Sequence, residues 1–396
     1  MIIFAIFIVL LNIYTLIKHR KNKQFTLLFL VIFYFNYSIC VGEYFLISLH
    51  EPLYAGLRWH NDRNYFDYGI IILFIFNLLL CFIPVVKERE RFKFESNNYV
   101  LIFLLGLLGY IFLFGIDRSP LTESYEVRIT PIYEYSYIIF IFAAKYSNTS
   151  FKKTLIVLVA ALFVLQDAFF GGRVTSMQIG LVLLCTLFYN SLNFKRIILI
   201  FFAGIIGLSI VAIYRNTFSL EAVTSYNLFR SLNFFVNDTA TYAYGASLAS
   251  VVAFDFTTFE DRLVSFIYFI QSIFTGGALR ETLFRDAITS IPVHTTNYYI
   301  HLGGTLFPFY FFFWFGWIGP FIAGIVASKY ISFWSKPKRG LLGQMIFLSI
   351  IVTVPRWYLY TPLVMFRGSL VFIPIVFICV KMIVYFTTKK KPHLSP

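Results

Sequence analysis

Long apolar runs recur along the whole chain and constrain its fold more than any other feature. A helix needs roughly 20 apolar residues to cross the hydrocarbon core of a bilayer. Of the 396 residues, 59% are hydrophobic and 13% are charged, whereas a soluble domain carries about 25% charged residues. The sequence therefore predicts an all-α, polytopic integral membrane protein.

Hydropathy predicts eleven membrane spans, eight before residue 215 and three after residue 302. The predicted organisation is an N-terminal bundle over 1–214, a large extracytoplasmic loop over 215–302, and C-terminal helices with a basic tail over 303–396. The spans cover about 1–17, 25–48, 68–86, 99–116, 134–146, 154–170, 175–190, 197–214, 303–328, 341–355 and 369–386.

The 215–302 loop contains two further apolar stretches, "YAYGASLASVVAF" and "RLVSFIYFIQSIF". Each has 13 residues, which is short for a crossing, and the "DFTTFEDR" segment between them is acidic. We interpret both as interfacial helices on the outer face. The alternative is two additional crossings, thirteen in all, which leaves the orientation of the later spans unchanged.

Lysine-rich connections alternate along the chain and predict its orientation. Examples are "KHRKNK" after the first span, "KERERFK" after the third and "SKPKR" after the ninth. The positive-inside rule places them in the cytoplasm, with the N-terminus outside and the C-terminus inside. Because richness in Phe, Ile, Tyr, Asn and Lys is typical of AT-rich genomes, the predicted location is a bacterial cytoplasmic (inner) membrane.

The two permanent cations are divided between the sides of this predicted topology. All 16 lysines fall on the cytoplasmic side, whereas the outer side has 12 arginines and no lysine. Arginine is suited to bidentate binding of phosphate or carboxylate because its guanidinium is a planar fork of donors. The alternative for each arginine is a structural salt bridge with an outer carboxylate. The outer arginines are Arg58, Arg63, Arg118, Arg128, Arg173, Arg215, Arg230, Arg262, Arg280, Arg285, Arg356 and Arg367.

The sequence lacks the motifs that are typical of several function classes. Neither G-x-x-x-x-G-K-[ST] nor G-x-G-x-x-G occurs in the chain, which excludes a transporter driven by an ATP site of its own. No H-E-x-x-H or similar metal motif occurs either. We therefore expect no metal, no cofactor and no nucleic-acid partner.

Two stretches resemble the O-antigen polymerase and ligase superfamily. "VHTTNYYIHLGG" followed by "FFFWFGWIGPFIAGIVAS" is similar to its H-x-x-N then G-x-x-G arrangement, here with His294, Asn297, Gly316 and Gly319. "FFGGRVTSMQIGLVLL", which contains Arg173, resembles an outer turn of the same proteins. The resemblance covers about 154–330 and, as a layout, the entire chain.

The resemblance implies a polysaccharide polymerase of the Wzy type, a metal-independent membrane glycosyltransferase. Its substrate would be an oligosaccharide repeat unit on undecaprenyl pyrophosphate. The growing glycan would pass from its lipid carrier onto the next lipid-linked unit at the outer face of the membrane. Membrane lipids are further expected partners, with a chain-length regulator and a flippase as candidates.

The chemistry of this transfer assigns roles to particular residues. A lipid diphosphate leaving group needs preorganised cations, and the acceptor hydroxyl needs a base. We expect His294 to be this base, with Glu281 and Asp286 as alternatives, and we expect Asn297 and Tyr298 at the sugar. The expected diphosphate-binding residues are Arg173, Arg215, Arg280, Arg285, Arg356 and Arg367.

Two other classes remain as alternatives. A flippase or exporter of lipid-linked oligosaccharide needs charges inside the membrane and usually two similar halves. The mid-span ionisable residues here are few, Glu43 and Asp167, and the sequence shows no internal repeat. A membrane acyltransferase that modifies glycans needs a histidine and an arginine reachable from the cytoplasm, where His19 and His393 lie in basic segments.

Overall fold

Helices make up most of the part of the chain that the structure describes. A computed structural model describes residues 1–45, 63–86, 92–117, 128–217, 236–275 and 304–389. The helices are α1 (Ile2–His19), α2 (Lys23–Cys40), α3 (Arg63–Leu80), α4 (Asn98–Phe114), α5 (Pro131–Glu134), α6 (Ser136–Lys145), α7 (Ser150–Phe169), α8 (Val174–Cys185), α9 (Phe194–Thr217), α10 (Asp238–Phe256), α11 (Phe259–Thr275), α12 (Phe307–Phe315), α13 (Gly319–Ser335), α14 (Gly340–Val352), α15 (Val354–Leu359), α16 (Leu363–Arg367) and α17 (Ile373–Lys389). A π-helical turn, Val41–Phe45, follows α2, and another, Gly368–Phe372, precedes α17.

Five helical segments in these ranges are long and apolar enough to cross a membrane. Their length and composition confirm the prediction of an all-α, membrane-embedded protein. The number of crossings, eleven or thirteen, and the orientation of the termini stay predictions. The five segments are Ile2–His19, Lys23–Tyr44, Phe194–Tyr214, Phe307–Ser335 and Leu363–Thr388.

The chain forms two compact units that interleave along the sequence. Unit 1 comprises Met1–Lys87, Leu228–Lys336 and Thr353–Arg367. Unit 2 comprises Glu88–Asn227, Pro337–Val352 and Gly368–Pro396. The sequence division into 1–214, 215–302 and 303–396 concerns topology across the membrane and stays a prediction.

A network of buried amides joins four helices of unit 1. Asn36 of α2 donates to Asn77 Oδ1 of α3 at 2.8 Å, and Asn12 of α1 donates to the same oxygen at 3.2 Å. The Tyr358 hydroxyl of α15 donates to Asn36 Oδ1 at 2.6 Å. Since polar groups inside a membrane must find partners within the protein, the network fixes the relative positions of these helices.

α10 is an interior helix of unit 1 and packs against α2, α3 and α12. It has 19 residues and α11 has 17, so both are longer than the 13-residue stretches in the sequence. The sequence underestimates α10 because the residues at its two ends, such as Asp238, Thr241 and Asp255, are polar. Inside the apolar stretch, the hydroxyls of Ser247 and Ser250 donate to carbonyls of their own helix at 2.6 Å. The interfacial position predicted for these helices is not tested by their length.

The short predicted span 134–146 is the helical centre of unit 2. Every residue of α6 is buried, and the helix packs against α4, α7, α8 and α14. Its last residue, Lys145, forms an ion pair with Glu95 at 3.1 Å. A cation at the C-terminal end of a helix also complements the helix dipole.

α9 is one of two weakly packed long helices in the described chain, together with the C-terminal span Leu363–Thr388. Its 24 residues include the most apolar of the candidate spans, and only 11% of that window is buried. Most of its surface is therefore available to lipid, as expected for a helix that is apolar all round.

The predicted span 303–328 is a broken helix. α12 ends at Phe315, and Gly316 has φ +59°, a conformation that side chains disfavour. A Cβ atom on Gly319 would overlap the carbonyl oxygen of Phe311. Each glycine of the G-x-x-G pattern thus has its own backbone role in the break between α12 and α13.

Candidate functional site

Most of the residues that the sequence assigns to the site lie outside the described ranges. These are His294, Glu281, Asp286, Arg280, Arg285, Asn297 and Tyr298. Arg215 lies near the C-terminal end of α9, where the structure describes the backbone alone. The side chains that are described belong to Arg173 in unit 2 and to Arg356 and Arg367 in unit 1. The roles assigned to all of these residues stay predictions.

Arg173 follows a tight turn between α7 and α8. Gly171 has φ +76°, and its N–H donates to the Ala168 carbonyl at 2.9 Å. The Gly172 N–H donates to the Asp167 carbonyl at 2.7 Å. The two glycines therefore form the turn that the sequence predicts, and they place Arg173 at the N-cap of α8.

Asp167 ties the end of α7 to the start of α8. Its side chain is fully buried, and Oδ2 accepts hydrogen bonds from the Ser176 N–H and the Ser176 hydroxyl, both at 2.8 Å. A carboxylate in the first turn of a helix is stabilised by the helix dipole. These contacts explain why a carboxylate is buried at a position that the sequence analysis counts as a mid-span charge. It lies two residues before the end of α7.

Arg128 contacts the same turn. Its guanidinium lies 6.0 Å from the centre of the Phe170 ring, and a short antiparallel bridge between Ile116 and Ile129 holds the adjoining backbone. Arg128 is 7% exposed and Arg173 is 9% exposed. Guanidinium groups with so little access to water interact with an anion more strongly than surface groups do. Two nearly buried arginines, one following the turn and one beside its Phe170 ring, therefore adjoin this part of unit 2.

The first half of α8 also contains buried polar side chains that the sequence analysis did not select. Thr175 and Gln178 are both fully buried. Within the described chain, Thr175 Oγ1 and both amide atoms of Gln178 have no hydrogen-bond partner. The signal in the sequence is the run "VTSMQ", which places polar residues within an otherwise apolar segment directly after Arg173.

Arg356 and Arg367, the two described arginines of unit 1 that the sequence assigns to the site, have different surroundings. Arg367 donates from Nε and Nη2 to the Ser272 carbonyl at 3.0 and 2.5 Å. Ser272 lies in the last turn of α11, so Arg367 complements the negative end of that helix. The Arg356 guanidinium lies 4.8 Å from the centre of the Tyr360 ring. Arg367 therefore has a structural contact, whether or not it also binds a substrate.

Unit 1 contains a buried carboxylate that the sequence analysis counted as mid-span. Glu43 is 1% exposed and lies in the π-helical turn after α2, at the end of the span Lys23–Tyr44. The next residue, Tyr44, shares a 2.5 Å hydrogen bond with the Tyr244 hydroxyl of α10. π-Helical turns within helices occur often at functional sites. Glu43 is therefore a further candidate for acid–base chemistry.

Comparison with known protein families, curated protein sequences and solved structures finds no match for this chain. The resemblance to the O-antigen polymerase and ligase superfamily thus depends on the short motifs alone. Of these motifs, the turn that carries Arg173 and the G-x-x-G break lie in the described structure.

Proposed function

We propose that this protein is a polymerase of lipid-linked oligosaccharide repeat units in the bacterial cytoplasmic membrane. It transfers the growing glycan from undecaprenyl pyrophosphate onto the next lipid-linked repeat at the outer face. The observation that supports the proposal is that two nearly buried arginines, Arg128 and Arg173, adjoin one turn of unit 2. A lipid diphosphate has the negative charge and the pairs of phosphate oxygens that the planar guanidinium binds with two donors at once.

The transfer assigns a task to each group. The oxygen of the acceptor hydroxyl attacks the anomeric carbon of the donor sugar, and the bond from that carbon to the pyrophosphate oxygen breaks. The hydroxyl proton passes to a base, for which His294 is preferred over Glu281 and Asp286. Negative charge grows on the departing pyrophosphate, and preorganised guanidinium groups lower the energy of that state. Arg128 is a further candidate for this role, beside Arg173 in the same unit.

Conservative replacement of Arg173 tests this function. A lysine keeps the charge but loses the planar fork, so in cells that express Arg173→Lys as the only copy we expect polymer yield to fall about tenfold or more. Polymer length and yield are read from the ladder of surface polysaccharide on a gel. The matched control is Arg196→Lys, since Arg196 is exposed in the first turn of α9. Full polymer length in both variants would contradict bidentate diphosphate binding.

The alternatives give different products in the same experiment. A flippase defect would leave lipid-linked oligosaccharide on the cytoplasmic side, whereas a polymerase defect leaves single repeats at the outer face. An acyltransferase defect would change the acyl content of the polymer and leave its length unaltered. The buried carboxylate Asp167 lies two residues before the end of α7, which supports the flippase alternative less than a mid-membrane charge would.

A further inference from the structure

The buried face of α8 changes character along its length. Thr175 and Gln178 lie on this face close to Arg173, and Val182 and Cys185 continue it further along the helix. Residues three or four positions apart share one face of a helix. The buried side of α8 is therefore polar beside the Arg173 turn and apolar beyond it.

A third polar residue lies on a helix that packs against α8. Ser136 is the first residue of α6. Tyr133, three residues earlier, donates to the Phe163 carbonyl of α7 at 3.0 Å, so this end of α6 lies beside the C-terminal part of α7 and hence near the Arg173 turn. Ser136 is fully buried, and its hydroxyl has no hydrogen-bond partner among the described residues. We refer to Ser136, Thr175 and Gln178 as the polar set.

Polar groups buried without partners destabilise a protein, so the polar set calls for a ligand or water that completes its hydrogen bonds. The amide of Gln178 offers two donors and one acceptor, and each hydroxyl of the set both donates and accepts. An anion only accepts hydrogen bonds, and a metal cation does not accept or donate any. A sugar has several hydroxyl groups that do both, and it therefore matches the whole set.

We propose that the polar set is the subsite that binds the hydroxyl groups of a sugar in the lipid-linked oligosaccharide, beside the arginines that hold its diphosphate. This inference rests on the proposed function and adds residues that recognise the saccharide. The set is uncharged, so it selects for hydroxyl positions rather than for charge. A site built to hydrogen-bond hydroxyl groups discriminates strongly against ligands that lack them.

Replacing Gln178 by leucine separates a binding role from a structural one. An apolar side chain of similar size removes the buried unpartnered amide, so we expect the Tm of the purified, ligand-free protein to rise by about 2 °C. The matched control is Gln24→Leu, because Gln24 of α2 is 4% exposed and its Oε1 also has no partner in the described chain. This control should raise the Tm as well. A lower Tm for Gln178→Leu alone would show that the amide is a structural contact and would overturn the inference.

Binding is measured with two lipids on the same purified proteins. One is undecaprenyl diphosphate, and the other is the lipid-linked oligosaccharide extracted from host cells that lack this protein. We expect wild-type protein and Gln24→Leu to bind the saccharide-bearing lipid more tightly than the bare diphosphate. Gln178→Leu should bind the bare diphosphate normally and the saccharide-bearing lipid about tenfold more weakly than wild type does. The double variant Ser136→Ala/Thr175→Val should show the same selective loss of affinity for the saccharide-bearing lipid. It replaces Gln178→Leu in the experiment if that variant does not fold.

The outcomes separate this inference from the proposed function. If the folded variants keep the full preference for the saccharide-bearing lipid, the subsite is wrong, even though polymerase function stands. In that case buried water completes the hydrogen bonds of the polar set. If no lipid-linked oligosaccharide accumulates in cells that lack the protein, the proposed function is wrong, and the subsite that depends on it is wrong as well.

Discussion

At the scale of single residues, Gly172 shows how closely the Asp167 carboxylate approaches the turn before α8. A Cβ atom at this position would overlap Asp167 Oδ1. The same carboxylate holds the first turn of α8 through Ser176. The sequence predicts a turn from the two adjacent glycines, but it does not reveal this contact, because the carboxylate reaches Gly172 only when α7 ends with Asp167 facing inwards.

We predict that Gly172→Ala destabilises the protein by about 2 kcal/mol or more, since the methyl group must displace the carboxylate that caps α8. The measurement is thermal unfolding of the purified protein, which should show a lower Tm. The control is Gly180→Ala in the middle of α8, where an added Cβ meets no atom of the described structure within 4 Å. That change should stabilise the helix by about 0.5–1 kcal/mol. Equal effects of the two substitutions would contradict the assigned contact.

At the scale of helices, the asparagine network of unit 1 depends on positions far apart in the sequence. Asn12, Asn36 and Asn77 belong to three helices, and Tyr358 completes the network from a fourth. Hydropathy alone treats each asparagine as a weak interruption of an apolar run. Which of them meet is decided by packing, and a single sequence does not record it.

We predict that Tyr358→Phe destabilises unit 1 by about 1–2 kcal/mol, because Asn36 Oδ1 loses a donor in a buried position. Thermal unfolding of the purified protein again provides the measurement. The control is Tyr14→Phe, since Tyr14 is 56% exposed on α1. The network would lose its assigned role if the Tyr358 variant were as stable as this control.

The helical elements also show where sequence reasoning ends. Every predicted span contains a helix in the structure, because a long apolar run in a membrane has few other ways to satisfy its backbone. The sequence does not predict the helix break at Gly316–Gly319, although its G-x-x-G pattern identifies both glycines. The sequence underestimates the length of α10 because the residues at its two ends include the polar Asp238, Thr241 and Asp255, which hydropathy excludes from the apolar stretch. The sequence does not identify Thr175 and Gln178, because the lack of hydrogen-bond partners is visible only in the packed structure.

At the scale of the whole molecule, the predicted orientation places the turn before α8 outside and the connection between α8 and α9 inside. We predict that Phe169→Cys reacts with a membrane-impermeant maleimide added to intact cells, whereas Ser191→Cys reacts only after the membrane is opened. Both positions are exposed in the structure. Labelling is measured by gel shift after Cys379→Ser, which removes the exposed native thiol and leaves three buried ones. The reverse pattern would invert the topology and place Arg173 in the cytoplasm.

The weak packing of α9 has a consequence for the membrane in which the protein works. The helix carries Lys195 and Arg196 at one end and Arg215 at the other, so its apolar stretch, 197–214, spans about 27 Å at 1.5 Å per residue. This is slightly shorter than a hydrocarbon thickness of about 30 Å. With little protein around it, α9 meets this hydrophobic mismatch by thinning the lipid beside it. Bilayer thickness therefore sets how close Arg215, at the far end of the helix, lies to the hydrocarbon.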